Sequence, residues 1–324
     1  MWLCVVALVL GILLSFPRAD AQRPAKVPRL GMLGLDSSIA PERYAAFHDG
    51  LRALGYREGH NIVIEYRWAE GRFDRLPALA AELVRLPVDV FVTTGGNLVV
   101  RAAQQATTTT PIVAAIMNDP VAAGFVASLA RPGGNITGQA FQDTELIPKQ
   151  VELLREAVPR LSRLAVLWHQ AGSGARVLRA VEEAARAFGL QLHAQEVREP
   201  PDLDRAVAAA KAWGAQALLQ LPSPFFHQHR KPLAALLTAH QLPAMCETRP
   251  VAVEGCLMAY GVSFEAMFRR MAYYVDRILK GAKAADLPVE QPREFEFVIN
   301  LKTAQALALK IPPSLLLRAD QVIE

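Results

Sequence analysis

The sequence predicts an α/β protein of two similar lobes, each built on a parallel sheet. Short β-branched runs alternate with amphipathic segments of about ten to fifteen residues, a pattern typical of βαβ units. The rhythm breaks at residues 131–135 (RPGGN), a cluster of turn formers, and then starts again. The chain has 324 residues, and a single hydrophobic core usually stops growing at roughly 250 to 300 residues. We therefore expect one lobe to end, and the other to begin, at this irregular crossing.

Each predicted element follows from local pattern. In the first half, strands are predicted at 29–35, 61–66, 88–94 and 112–117, with helices from Pro41, at 74–86 and at 98–106. The strand at 112–117 ends in Asn118-Asp119-Pro120, and because a proline restricts the residue before it, Asp119 is expected to be extended. A short apolar helix is expected at 121–129.

The second half repeats the alternation. Helices are predicted at 145–158, 174–188, 202–213 and 230–240, and strands at 163–168, 190–197, 215–221 and 242–246. A return crossing at 256–260, an amphipathic helix at 264–279 and a tail with one strand (FEFVI) and one helix complete the chain.

The first residues predict export. An apolar run at 2–14 is too short to span a bilayer, and Ala19-Asp20-Ala21 has the A-x-A form of a cleavage site. We expect a signal peptide at 1–21, a mature chain from Gln22 and a periplasmic or otherwise extracytoplasmic location. No Lys or Arg precedes the apolar run, so a start further upstream is one alternative, and an uncleaved membrane anchor is another.

The charge distribution bears on nucleic-acid binding, and the cysteine content bears on a possible disulfide. The 35 basic and 31 acidic residues give a net charge of +4 but are interspersed, without the basic block that tracks phosphates, so no nucleic-acid partner is expected. Cleavage would leave Cys246 and Cys256, which either pair in an oxidising compartment or act as small core residues.

A small-molecule site is expected where strands end. Gly95-Gly96-Asn97 opens a helix with unblocked backbone N–H groups, which favours an anion such as a ligand carboxylate. Asp119 would then pair with an ammonium, so the two together fit an amino-acid zwitterion. The alternative is that the glycines only form a turn and Asp119 only caps the segment after it.

Other strand-end residues complete the candidate set. Ser37 follows the first strand, and Trp168 and Ser223 end strands of the second half, while Tyr260 lies on the return crossing; for Trp168 and Tyr260, plain packing is the alternative. No nucleophile elbow, Walker loop or dinucleotide fingerprint is present, so neither an enzyme nor a cofactor is expected. His227 and His229 are interpreted as a solvated face rather than a metal site.

Four strings carry a resemblance to a known family: residues 50–84, 105–113 (QATTTTPIV), 119–138 (DPVAAGFVASLARPGGNITG) and 311–324 (IPPSLLLRADQVIE). The sequence resembles the substrate-binding proteins of ABC transporters of the tryptophan- and phenylalanine-binding kind. The resemblance implies two Rossmann-like lobes in a type 1 periplasmic-binding, Venus-flytrap fold, with lobe 1 at 29–138 plus 262–285 and lobe 2 at 139–261 plus 286–324. It places Thr94, Gly95, Asp119 and Asn135 near the ligand. Cys246 and Cys256 depart from the family's usual aromatic and glycine.

The expected function is therefore that of an exported solute-binding protein, which captures a small molecule, such as an amino acid or carboxylate, and delivers it to an ABC permease. It is expected to be a monomer that meets the membrane only through its signal segment or the permease. A sensor ectodomain or a ligand-responsive regulator is the first rival, although a regulator of this architecture needs an N-terminal helix-turn-helix where this chain has an export segment. An enzyme that uses the cleft is the second rival.

Overall fold

A computed structural model describes residues 26–35, 41–141, 143–169 and 174–324, and it contains two sheets with helices packed on their faces. The predicted α/β class with two lobes is confirmed. The predicted signal peptide and Ser37 lie outside the described residues. Within the described part of the chain, no helix combines the length and the apolar character that crossing a membrane requires.

The elements alternate as the sequence predicts. The strands are β1 (Arg29–Gly34), β2 (Val63–Trp68), β3 (Val90–Thr93), β4 (Ile112–Asn118), β5 (Ile136–Phe141), β6 (Arg163–Trp168), β7 (Gln191–Glu196), β8 (Ala217–Gln220), β9 (Ala244–Cys246), β10 (Met258–Val262), β11 (Phe295–Asn300) and β12 (Gln321–Ile323). The α-helices are α1 (Pro41–Ala53), α2 (Leu76–Arg85), α3 (Asn97–Ala106), α4 (Asp143–Ala157), α5 (Gly174–Ala187), α6 (Pro200–Trp213), α7 (Pro224–Gln228), α8 (Arg230–Ala239), α9 (Arg249–Glu254), α10 (Phe264–Leu279), α11 (Leu301–Ala306) and α12 (Pro313–Leu316), with short 3₁₀ turns at Phe73–Arg75 and Ala284–Asp286.

The first sheet has the order β2-β1-β3-β4-β5, and all of its neighbouring strands are parallel. The second has the order β12-β11-β10-β9-β8-β6-β7, in which only the β10–β11 pair is antiparallel. In a parallel sheet the carboxyl ends of the strands meet at one edge, so each lobe has one edge that gathers the loops able to hold a ligand.

A helix from the last quarter of the chain, α10, packs against the first lobe. The helix α10 packs on α1, and its Phe268 and Tyr274 share a buried cluster with Phe47 and with residues of β1 and β4. After α10, the strands β11 and β12 join the second sheet beside β10. The lobes are therefore connected by more than one chain crossing.

Two expectations for the stretch after β4 are wrong. Residues 121–129 form successive turns instead of a helix: the N–H of Phe125 bonds the Pro120 carbonyl, and that of Ala127 bonds Pro132. Residues 136–141 then form β5, which pairs with β4, so the chain leaves the first sheet after Phe141 and not at 131–135. A lobe boundary at 138 would cut through this strand.

Candidate functional site

The carboxyl edges of the two sheets face each other across a cleft. A guanidinium nitrogen of Arg43, on α1 of the first lobe, lies 3.5 Å from Nδ1 of His227, on α7 of the second. Arg249 of α9 forms an ion pair with Glu265 at the start of α10. These contacts join the two lobes and place the strand-end loops of both sheets around one space.

Aromatic side chains of the first lobe form one wall of this cleft. The hydroxyl of Tyr44 lies 3.1 Å from that of Thr94, which is 2% exposed and follows β3 directly. The Tyr44 ring meets Trp68 edge to face at 5.0 Å, and Trp68 stacks on Tyr66 at 5.9 Å. Gly34 makes this packing possible, because a Cβ there would lie 2.3 Å from the Trp68 ring.

The start of α3 lies at the same edge. Gly95 and Gly96 both have positive φ, +112° and +88°, and Gly96 is the N-cap. Asn97 is clamped to the end of β4, since its side chain donates to the Asn118 carbonyl and accepts from the Asn118 N–H, both at 2.8 Å. The predicted anion site is thus presented by a rigid turn beside Thr94.

The second side of the cleft is built on the loop after β9. Glu247 follows Cys246 directly and is 8% exposed. Its backbone N–H donates to Oε1 of Gln220 at 3.4 Å, and its carboxylate accepts from the backbone N–H of Ser223. The adjacent Thr248 is buried, and its hydroxyl has no partner among the described residues. The strand-end position therefore presents a fixed carboxyl and an open hydroxyl.

Arg43 and Glu247 come from the two lobes, carry opposite charges and lie close enough for each to influence the pKa of the other. Burial raises the pKa of Glu247 to about 7, while Arg43 works against this rise and Asp143 adds to it. Burial also lowers the pKa of Arg43, opposed mainly by Glu247. Arg43 as a residue is half-buried, and its guanidinium carbon lies 3.9 Å from the centroid of the Phe264 ring.

A second acidic group is neutralised within the protein. Asp143, the first residue of α4, is 1% exposed and accepts from Arg176 at 2.7 Å and from the Asn118 amide at 3.1 Å. Burial raises its pKa, and Arg176 is the strongest influence in the other direction. Asp143 is therefore committed to joining the lobes, whereas Glu247 accepts from the Ser223 N–H and is influenced by Arg43 without forming an ion pair with it.

Two predicted residues differ from expectation. Asp119 lies at the carboxyl end of β4 as expected, but it is exposed and has φ +44°, so the extended conformation predicted for it is wrong. Its carboxylate lies 3.4 Å from the Ala122 N–H and caps its own turn. Asn135 precedes β5 at the opposite, amino edge, where its amide bonds the carbonyls of Thr107 and Thr110. The structure separates Asn135 from the other candidates.

The remaining candidates are held by packing. Trp168 ends β6 and is half-buried against the core of the second lobe. Ser223 caps α7 by accepting from the Phe225 N–H. Tyr260 lies in the middle of β10, where it stacks on Phe295 at 6.4 Å. Ser223 touches the Glu247 carboxylate directly, whereas Tyr260 is engaged by its strand neighbours.

The histidine expectation is wrong in one respect. His227 is buried beside Arg43 rather than solvated, and because a guanidinium can only donate, Nδ1 of His227 is the accepting nitrogen. His229 packs on Phe225 with ring centroids 4.4 Å apart. Within the described part of the chain, no group of three metal-ligating side chains comes together.

Disulfide pairing is now defined. Cys246 and Cys256 are joined, with 6.4 Å between their Cα atoms, and both residues are fully buried. The bond ties the end of β9, immediately before Glu247, to the chain that enters β10. Of the two alternatives left open by the sequence, the structure contains the bridge.

The sequence-based prediction missed the charged pair at the centre of the cleft. Glu247 and Thr248 directly follow β9, and this strand-end position is the sequence signal that could have identified them, as it did Ser223. Arg43 and Tyr44 carried no such signal, because they lie in the first turn of α1 and reach the site only through the packing of that helix.

Two α/β lobes that enclose a polar cleft at their strand ends define a binding protein of the type 1 periplasmic fold. The family model for ABC transporter substrate binding proteins matches residues 37–323, and the chain belongs to that family. Its members capture solutes for ABC importers.

Relatives agree with this assignment. The chain is 23% identical, over 82% of its length and 76% of the relative's, to a tyrosine-binding protein of Clostridioides difficile. It is similar in fold to a conserved domain protein from Vibrio cholerae, with a TM-score of 0.85, 24% identity and coverage of 92% and 100% of the two chains. It is also similar to an ABC domain in complex with L-Trp from Streptococcus pneumonia, with a TM-score of 0.84, 23% identity and coverage of 91% and 99%.

Proposed function

We propose that the solute is a free amino acid, held as a zwitterion between the lobes. The observation that carries the proposal is that Arg43, from the first lobe, and Glu247, from the second, are opposite charges that act on each other where the lobes meet. An amino acid presents a carboxylate to the guanidinium and an ammonium to the carboxylate, so each buried charge gains a charge-assisted partner. A ligand with only one of the two charges would leave one protein group uncompensated.

The side chain of the ligand is proposed to be aromatic. The rings of Tyr44, Trp68 and Tyr66 form a continuous wall beside Thr94, which suits a flat ring. The relative from Clostridioides difficile is named for tyrosine and the streptococcal structure holds L-Trp, which supports the same choice. Thr94, which lies beside Tyr44, Ser223, which lies beside Glu247, and the Gly95-Gly96 turn after Thr94 are the predicted contacts we favour.

Ser37, Asp119, Trp168 and Tyr260 stay predicted contacts of lower rank. Asp119 and Trp168 lie at the carboxyl ends of β4 and β6, and Ser37, which is outside the described residues, is proposed only because it follows β1 in the sequence.

We further propose that the mature chain begins at Gln22, is periplasmic and works as a monomer that meets the membrane through the permease. The apolar run and the A-x-A signature support export. N-terminal mass spectrometry of the exported chain should give Gln22, and an intact Met1 would contradict cleavage.

Binding without turnover is part of the proposal. The one cleft serine that the described residues place beside Glu247, Ser223, accepts from the Phe225 N–H and caps a helix instead of facing a base. An amino acid incubated with the protein should be recovered unchanged by mass spectrometry.

Calorimetry and thermal shift test the ligand. L-Tyrosine and L-tryptophan should stabilise the folded protein in proportion to their occupancy, and sugars should not. Arg43→Gln should weaken binding by at least about tenfold because a buried carboxylate loses its partner. Arg52→Gln is the matched control, since Arg52 lies on the same helix in an exposed pair with Asp49. Unchanged affinity of Arg43→Gln, or no response to any amino acid, would contradict the proposal.

A further inference from the structure

We infer that Glu247 accepts the ligand's ammonium and loses a proton as the ligand arrives, so that capture of an amino acid releases protons to the solvent. The O–H bond of the Glu247 carboxyl breaks, the proton passes to the buffer, and the carboxylate accepts an N–H of the ammonium. The inference rests on the proposed function, because it needs a ligand that carries an ammonium group.

The carboxyl of Glu247 is held in place from several sides. Gln220 accepts its backbone N–H and the Ser223 N–H bonds its carboxylate. Gly261 lies so close that a Cβ there would be 2.1 Å from the Glu247 carbonyl oxygen. The disulfide fixes the preceding Cys246. These contacts hold the Glu247 backbone at the end of β9, and the Ser223 N–H holds its carboxylate there.

The titratable groups around Glu247 come from four helices. Arg43 of α1 favours the ionised carboxylate, and Asp143 of α4 disfavours it. His227 of α7 lies against Arg43, and Glu265 of α10 acts on the same guanidinium. Burial outweighs Arg43, and the pKa of Glu247 is raised to about 7. A group whose pKa equals the pH is about half protonated, so near pH 7 about half of the empty molecules carry this proton.

A ligand ammonium next to the Glu247 carboxylate should lower the pKa that burial raises. An opposite charge within hydrogen-bonding reach lowers a carboxyl pKa by roughly 1 to 3 units. The bound protein would then be almost fully ionised at pH 7, and binding would release about half a proton per ligand. Release should grow towards about pH 6, where the empty site is mostly protonated and the filled site mostly ionised, and fade above about pH 8.

The same coupling between proton and ligand fixes the direction in which ligand affinity changes with pH. Protons compete with the ammonium for Glu247, so affinity should rise as pH increases from about 5.5 to 8 and then level off. A ligand with a carboxylate but no ammonium should act in the opposite direction, because its negative charge near Arg43 makes the proton on Glu247 more stable.

Calorimetry in buffers of different ionisation enthalpy measures the exchanged protons directly. L-Tyrosine and L-tryptophan, titrated at pH 6, 7 and 8 in phosphate and in Tris or imidazole, should give binding heats that depend on the buffer in the direction of release. The compound 3-(4-hydroxyphenyl)propanoate, which is tyrosine without its ammonium, should bind weakly and with proton uptake. Saturable binding of L-tyrosine with a heat independent of buffer would overturn the inference and leave the proposed function standing.

Three variants identify the source of the proton. Glu247→Gln should abolish proton release and weaken the binding of L-tyrosine by about tenfold or more. Glu196→Gln is the matched control at the same edge of the second sheet, where Glu196 pairs with Arg198 on the surface, and it should keep both affinity and release. Asp143→Asn should move maximal release to lower pH, since a negative neighbour of Glu247 is lost. Release that persists in Glu247→Gln, or vanishes at every pH in Asp143→Asn, would overturn the inference. Absence of amino-acid binding in the unmodified protein would contradict the proposed function and, with it, this step.

Discussion

Gly138 shows how one residue can hide a strand from sequence-based prediction. It lies inside β5 with φ +134°, and a Cβ would lie 2.0 Å from the Ala114 carbonyl oxygen of β4, beside a register shift in the β4–β5 pairing. A glycine in a strand interior weakens the strand pattern and marks a close backbone approach. The turn-forming residues 131–135 before it favoured a crossing between the lobes in place of a strand.

Gly138→Ala should be strongly destabilising. The new methyl group meets backbone and the φ is one that L-residues avoid, so the free energy of unfolding should fall by roughly 3 kcal/mol or more. Gly59→Ala is the control, because Gly59 also has positive φ, +79°, but a Cβ added there would have no other atom within 4 Å among the described residues. Urea unfolding should show a loss of only about 1 kcal/mol for Gly59→Ala; equal losses would mean that the contact with Ala114 does not matter.

At the scale of elements, the sequence predicted best the longer helices and strands that pack against a single core. The strand β6 and the helix α10 have the predicted bounds, because hydrophobic periodicity reports burial against one core. The helix α9 escaped prediction because it has only six residues and begins Arg249-Pro250. The strand-end rule located one edge of the site, but Arg43 and Glu247 come together only through the apposition of the lobes, which no local pattern encodes.

Because Cys246 and Cys256 form a disulfide, the stability of the segment containing β9, α9 and β10 should depend on their oxidation. It closes a loop with a sequence separation of 10. Restricting the unfolded chain over a loop of that size is worth about 3 kcal/mol. Cys246→Ala/Cys256→Ala should therefore lower the free energy of unfolding by roughly 2 to 4 kcal/mol.

Chemical denaturation checks this expectation with and without reductant. The unmodified protein unfolded in dithiothreitol should approach the midpoint of the double variant, whereas the variant itself should not respond. Because both cysteines are fully buried, reductant should act only as the protein unfolds. A midpoint that is the same with and without reductant would show that the bridge does not contribute.

At the scale of the molecule, the lobes are joined by contacts that an open form would lose. The Cβ position at Gly71, in the first lobe, lies 3.8 Å from the Gln228 amide in the second. Arg249 of the second lobe pairs with Glu265 of the first. Such contacts shift the equilibrium between open and closed forms, and ligand affinity includes whatever free energy closure requires.

The Arg249–Glu265 pair should consequently affect ligand affinity without touching the ligand. Both side chains are 35% exposed, and partly exposed pairs contribute about 0.2 to 1 kcal/mol. A double-mutant cycle of Arg249→Ala and Glu265→Gln, measured by calorimetry with L-tyrosine, should give a coupling of that size, about 1.5- to 5-fold in affinity. The cycle for Lys149 and Glu152, a pair within α4, is the control and should give no coupling, because that pair is intact in either form. If the Arg249–Glu265 cycle also gave none, while small-angle scattering showed that L-tyrosine still compacts the protein, closure would be driven by the ligand's own contacts with the two walls.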